Sequence, residues 1–159
     1  MAKGALEVQW RHTDVVIAGG GLGGSLAAAM LGRAGIDAVL VDPHPVYPPD
    51  FRCEKLDGTQ LQTLRLTGLA DAVMRASTPD QEAWVGRHGR IIEKLHGTQR
   101  GVLYDTLVNS VRSQIPACTQ FIHAKVADIV TGPERQTVKL SNGHEIAARL
   151  VVLATGLNI

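Results

Sequence analysis

Three glycines at fixed spacing carry the clearest chemistry in the chain: Gly19-x-Gly21-x-x-Gly24, directly after the apolar run Val15 to Ala18. Where a strand turns into a helix, the first helical N–H groups lack partners and the positive end of the helix dipole faces outward. That arrangement takes a phosphate or pyrophosphate. Gly19 permits the tight turn, Gly21 lets a pyrophosphate reach the backbone, and Gly24 lets the helix lie against the strand. Leu22 and Gly23 complete the loop. Asp42 closes a second apolar run, Ala38 to Val41, where a carboxylate can accept hydrogen bonds from ribose hydroxyls. The same carboxylate would repel a 2′-phosphate, so the expected nucleotide is FAD or NAD and not NADP.

These residues require a βαβ unit: strand Val15–Ala18, an apolar helix with Gly35 as its C-cap, and strand Ala38–Val41. Residues 1–12 read as a poorly ordered lead-in. After Asp42, the prolines at 43, 45, 48 and 49 exclude a helix and predict an extended loop running past the nucleotide. Apolar residues at 61, 64, 66 and 69 predict an amphipathic helix within Gly58–Leu69, with a second short one over Asp71–Ala76. Glu82–His88 and Arg90–Leu95 read as strands about a His88-Gly89 turn. Gly101–Ile115 reads as a helix stopped by Pro116. Short strands follow over Thr119–Ala124, Val126–Val130, Thr137–Leu140 and Glu145–Ala147, with Asn142-Gly143 as a hairpin turn. Leu150–Ala154 is wholly apolar, as a central parallel strand covered on both faces would be, and ends in Thr155-Gly156. The expected class is α/β: a Rossmann-like dinucleotide-binding fold with a parallel sheet and an additional small β-meander.

The 159 residues suffice for one domain with a real core, and 45% are hydrophobic against 19% charged. A net charge of +1 without a Lys/Arg block gives no electrostatic case for nucleic acid or an anionic membrane. No apolar run approaches the ~18 residues of a membrane helix. Cys53 and Cys118 make neither a metal pattern nor a disulfide framework, so the expected location is the cytoplasm. Cys53 is read as a small apolar residue and His44 as a solvated loop residue. His144-Glu145 has Ala148 where a zinc motif would need histidine. A phosphate-binding Gly-x-x-x-x-Gly-Lys loop and a Gly-x-Ser-x-Gly elbow are both absent. Tyr47 is followed four residues later by Phe51, and Tyr104 by Val108, so the Tyr-x-x-x-Lys of short-chain reductases is missing too.

Further segments follow this fingerprint: Phe51-Arg52-Cys53-Glu54 before a helix ending Leu66-Thr67-Gly68-Leu69, Arg100-Gly101-Val102-Leu103-Tyr104-Asp105-Thr106-Leu107, and the Asn142-Gly143 hairpin before Leu150–Gly156. Together they resemble the N-terminal FAD-binding part of flavoprotein monooxygenases of the p-hydroxybenzoate hydroxylase type. The resemblance implies an FAD-binding domain over 13–159, with a second FAD segment and a substrate domain not represented. It places Arg100 near the FAD ribose and pyrophosphate, Arg52 in a loop near the cofactor, and the backbone of Val126 at the adenine. Thr155-Gly156 stands where many hydroxylases carry Asp-Gly. In the complete enzyme the resemblance implies NAD(P)H as electron donor, oxygen, and a small organic substrate that is hydroxylated or epoxidised. Flavoprotein halogenases and isoprenoid-type reductases share this first half. An NAD-dependent reductase and a non-catalytic nucleotide-binding module are the other readings. An apolar face without its usual cover is expected to favour self-association.

Overall fold

An uninterrupted apolar run makes a strand with both faces covered, and Val15, Val16, Ile17 and Ala18 are each at most 7% exposed in the computed structural model. The structure describes residues 10–156. In chain order the elements are β1 (Trp10–Ala18), α1 (Leu22–Arg33), β2 (Ala38–Val41), β3 (Cys53–Leu56), α2 (Gly58–Leu66), α3 (Ala70–Ala76) and β4 (Thr78–Pro79). They continue with β5 (Glu82–Arg87), β6 (Arg90–His96), β7 (Arg100–Leu103), α4 (Tyr104–Arg112), β8 (Gln120–Ile122), β9 (Val126–Val130), β10 (Gln136–Leu140) and β11 (Glu145–Leu153). The chain forms two units, Met1–Tyr47 with Ile115–Ile159, and Pro48–Gln114.

The first unit is a six-stranded sheet in the order β8-β2-β1-β11-β10-β9. Strand β1 runs parallel to β2 and β11, and β2 parallel to β8, while β10 is antiparallel to both β11 and β9. Alternate residues serve opposite faces. Val15, Ile17, Ala38 and Leu40 form one buried cluster with Ala28 of α1. Val16, Val39 and Val41 share the other with Val138, Leu140 and Ile146 of the meander. Helix α1 ends in a Schellman motif: Ile36 N–H donates to the Leu31 carbonyl and Gly35 N–H to that of Gly32, with Gly35 at φ +72°. Gly35 thus lies one residue past the cap, which is Ala34.

Two expectations change here. Strand β1 begins at Trp10, inside the stretch read as a lead-in; residues 1–9 lie outside the described residues. Polar His12 and Thr13 join the strand because Trp10–Thr13 pair with Glu145–Ala148 of β11. The expected strands Glu145–Ala147 and Leu150–Ala154 are one strand, β11. Arg149, which broke the apolar pattern, stays in register and reaches Asp14 at 3.2 Å. Cover on both faces holds for Ile146, Ala147 and Ala148, whereas Leu150 and Leu153 are exposed. The meander continues the main sheet rather than standing apart from it.

In the second unit, Asp57 caps α2 by accepting from Gln60 N–H while the Gln60 side chain accepts from Asp57 N–H. Gly68, at φ +68°, lets Leu69 N–H reach the Leu64 carbonyl and close that helix. The predicted helix from Gly101 is shorter, because Arg100–Leu103 form β7 and α4 starts at Tyr104. Cys53–Leu56, read as a lead into a helix, is strand β3. Each supplies the other's partner: Cys53 opposes Leu103 and Leu56 opposes Arg100. Hairpin β5–β6 turns at His88 and Gly89, with φ 49° and 75°, as expected. All its strand residues are exposed.

Buried ladders open only with the whole fold, while a two-stranded exposed ribbon opens locally. Native-state hydrogen exchange is therefore expected to be slowest at amides of Val16–Ala18 and Val39–Val41 and fastest, among the strands, in β5–β6. Equal protection in the ribbon and in β1 would contradict this layering.

Candidate cofactor site

Gly19 adopts φ +105°, which side chains rarely tolerate, and a Cβ there would stand 2.4 Å from the Ala154 carbonyl oxygen and 2.9 Å from Thr155 N. At Gly24 a Cβ would fall 1.8 Å from the Gly19 carbonyl oxygen and 3.3 Å from the Ala154 Cβ. The roles read for these two glycines, tight turn and close helix approach, are thus visible as steric limits. Gly21 is the N-cap of α1 with no side-chain cap, and the first turn carries no acid. At Gly23 nothing lies within 4 Å of where a Cβ would be. The first turn of α1, including Leu22, offers backbone N–H groups in an open setting.

The loop is braced from within. Ser25, fully buried, donates its hydroxyl to the Gly20 carbonyl at 2.9 Å. Gly20 N–H donates to Asp42 Oδ2 at 2.8 Å, and His44 N–H donates to Asp42 Oδ1 at 2.9 Å. The Asp42 side chain is only 13% exposed, with His44 Nδ1 3.4 Å from Oδ1. An open helix N-terminus and an oriented carboxylate joined by Gly20 fit a nucleotide with a pyrophosphate and a ribose diol. The donor set fits the adenosine diphosphate half of FAD.

The remaining candidates divide. Thr155 lies against the loop, as its contact with the Gly19 position shows, and Gly156 turns at φ +69°. Val126 opens β9 and packs against the cluster containing Val39 and Val41. Arg52 and Arg100 belong to the second unit. The Arg52 guanidinium binds Asp50 and lies 4.2 Å over the Tyr104 ring centroid. Hydrogen bonds from its side chain, then its backbone N–H, hold the Asp50 carboxyl below the ordinary range. Arg100 sits on β7, not at a helix start. Its Nε donates to Ser77 Oγ at 2.7 Å, and Nη2 donates to the carbonyls of Met74 and Ser77 at 2.9 and 2.8 Å. It therefore caps the C-terminus of α3.

Sequence reasoning passed over three residues. Ser25 was signalled by a lone hydroxyl in an otherwise apolar helix. His44 sits two positions past Asp42, the spacing at which an Asp side chain accepts the following N–H. Ser77 had no sequence signal, because its partner Arg100 is brought to it by the pairing of β4 with β7.

Fold and loop together define a dinucleotide-binding βαβ protein. A family model described as an FAD binding domain matches residues 12–148, so the chain belongs to that family and its cofactor is FAD. Aklavinone 12-hydroxylase RdmE of Streptomyces purpurascens is 30% identical over 106 residues, 67% of this chain and 19% of the relative. The p-nitrophenol 4-monooxygenase PnpA of Pseudomonas putida DLL-E4 superposes with a TM-score of 0.80 at 20% identity, covering 94% of this chain and 42% of that one. The flavin-dependent monooxygenase PieE, solved in complex with FAD and substrate, gives a TM-score of 0.72 at 18% identity, covering 92% and 31%. The chain thus spans about a fifth of its curated relative. The resemblance to flavoprotein monooxygenases drawn from the sequence is borne out.

The two adjacent glycines in the first turn of α1 separate fold from binding. Gly24→Ala is expected to destabilise the chain by about 3 kcal/mol or more, since backbone must move to admit the methyl. Gly23→Ala is expected to stabilise it by about 0.5–1 kcal/mol through helix propensity and, because its methyl would stand on the open side of the loop, to weaken FAD. Thermal unfolding and FAD titration of both variants check this; unimpaired FAD binding by Gly23→Ala would contradict it.

Proposed function

We propose that this chain holds the adenosine diphosphate half of FAD within a flavoprotein monooxygenase that uses NAD(P)H and oxygen on a small organic substrate. The observation that carries the reading is the joining of the α1 N-terminus to the Asp42 carboxylate through Gly20. In this reading the N–H groups at Leu22, Gly23 and Gly24 donate to the pyrophosphate, and the dipole of α1 offsets its charge. Asp42 accepts from the ribose hydroxyls. The Val126 backbone borders the adenine, and Thr155-Gly156 borders the loop on its open side. By the family resemblance, Arg100 is assigned to the FAD ribose and pyrophosphate and Arg52 to a loop near the cofactor, in addition to the contacts that each makes within its own unit. Bound FAD supplies the redox chemistry through its flavin ring.

The monooxygenase assignment rests on the family and on relatives named as a hydroxylase and as monooxygenases. Among the described residues no helix is long and apolar enough to cross a membrane. Both cysteines lack a disulfide, in keeping with a reduced compartment such as the cytoplasm. Leu150 and Leu153, 55% and 69% exposed on opposite faces of β11, each leave apolar surface through which copies could associate.

Binding titrations with FAD, ADP and riboflavin test the assignment. ADP is expected to bind within about tenfold of FAD, because the groups described address the diphosphate and ribose, and riboflavin much more weakly. Asp42→Asn is expected to weaken ADP about tenfold by removing the charged acceptor. Riboflavin binding as tightly as FAD, with ADP not binding, would overturn the reading.

A further inference from the structure

Asp42 is held by two groups with different origins. Gly20 N–H, from the glycine loop, fixes Oδ2; His44 fixes Oδ1 with its backbone N–H at 2.9 Å and its ring Nδ1 at 3.4 Å. The backbone N–H would remain whatever residue stood at 44. The ring is specific to histidine, and it is placed by sequence: Pro43 and Pro45 flank it. Pro43 fixes its own φ, and the ring of Pro45 confines His44 to extended conformations. The side chain is 56% exposed and makes its contact at the rim of a carboxylate that is itself 13% exposed.

For the ring to hold Oδ1 at 3.4 Å and not repel it, Nδ1 must carry its hydrogen. The carboxylate plane is then fixed from both sides: Gly20 at one oxygen, His44 at the other. Ribose recognition depends on that plane, because it sets the direction from which the carboxylate can accept a ribose hydroxyl.

We propose that His44 is a positioning residue for ribose recognition: its Nδ1–H orients Asp42 so that the carboxylate accepts from the ribose of the adenosine. The inference rests on the reading of Asp42 as the ribose acceptor. His44 acts only through Asp42, and its removal should weaken the response to the hydroxyls, not to the diphosphate.

The test compares ADP with 2′,3′-dideoxy-ADP on the full chain and on the variants His44→Ala, His44→Asn and Asp42→Asn. The wild-type chain is expected to prefer ADP by about tenfold, the value of a hydrogen bond to a charged acceptor. His44→Ala is expected to reduce that preference to about threefold while leaving dideoxy-ADP affinity unchanged. His44→Asn should restore the preference, since its amide places an N–H one bond beyond Cγ, where imidazole carries Nδ1. A preference unchanged in His44→Ala, or lost equally in His44→Asn, overturns the role of the ring. A preference unchanged in Asp42→Asn, or no binding of ADP by the wild-type chain, overturns the ribose reading beneath it, and the proposal with it. Imidazole ¹⁵N shifts of the free chain give an independent check: they should report hydrogen on Nδ1 at neutral pH, and an Nε2–H tautomer would contradict the proposal.

Discussion

The backbone of α1 passes the end of β1 so closely that no side chain fits between them. A Cβ at Gly24 would lie 1.8 Å from the Gly19 carbonyl, and one at Gly19 would lie 2.4 Å from the Ala154 carbonyl. Three segments of backbone, from β1, α1 and the end of β11, therefore meet at one point with only hydrogens to separate them. This contact sets where the helix begins and which way its unpartnered N–H groups face. It also brings Gly20 to the carboxylate after β2. On the proposed reading, the loop that would take the diphosphate also orients the carboxylate that would take the ribose, so both ends of a nucleotide would be met by groups already fixed in place.

The layers around that point explain its rigidity. One face of the β1–β2 sheet carries α1 through Val15, Ile17 and Leu40. The other carries the meander through Val16, Val39 and Val41. Burial of both faces holds the strand ends in place, and the strand ends hold the loops. The second unit follows a different plan, with small antiparallel sheets and capped short helices. Its two arginines already have protein partners: Arg52 with Asp50 and Tyr104, and Arg100 with the end of α3. Any role they have toward the cofactor is added to a structural one. For Asp50 the guanidinium's hydrogen bonds favour the charged form, so their stabilising contribution is present above the ordinary carboxylate range and fades as pH falls through the lowered value.

What could be read from the sequence was what local pattern encodes. The glycine spacing, the apolar runs at Val15–Ala18 and Ala38–Val41, and Asp42 after them were enough to place β1, the glycine turn into α1, and β2. The His88-Gly89 and Asn142-Gly143 turns were likewise visible, because a turn is a property of adjacent residues. What was missed depended on distant partners. Trp10–Thr13 look too polar for a core strand and are drawn in by β11. Cys53–Leu56 and Arg100–Leu103 are too short to show a period and exist because they pair with each other. Arg100 has the same sequence whether it meets a phosphate or Ser77. His44 read as a solvated loop residue because its contact with Asp42 is a matter of loop path, which prolines restrict but do not spell out.

The central claim is that the first turn of α1 and the Asp42 carboxylate form one adenosine diphosphate site. Amide chemical shifts of the ¹⁵N-labelled chain, followed as ADP is added, test it most directly. The account predicts that the largest changes fall on Gly20 to Gly24 and on His44, saturating together with one dissociation constant. Changes confined to other residues, or loop and His44 amides that titrate with separate constants, would contradict it.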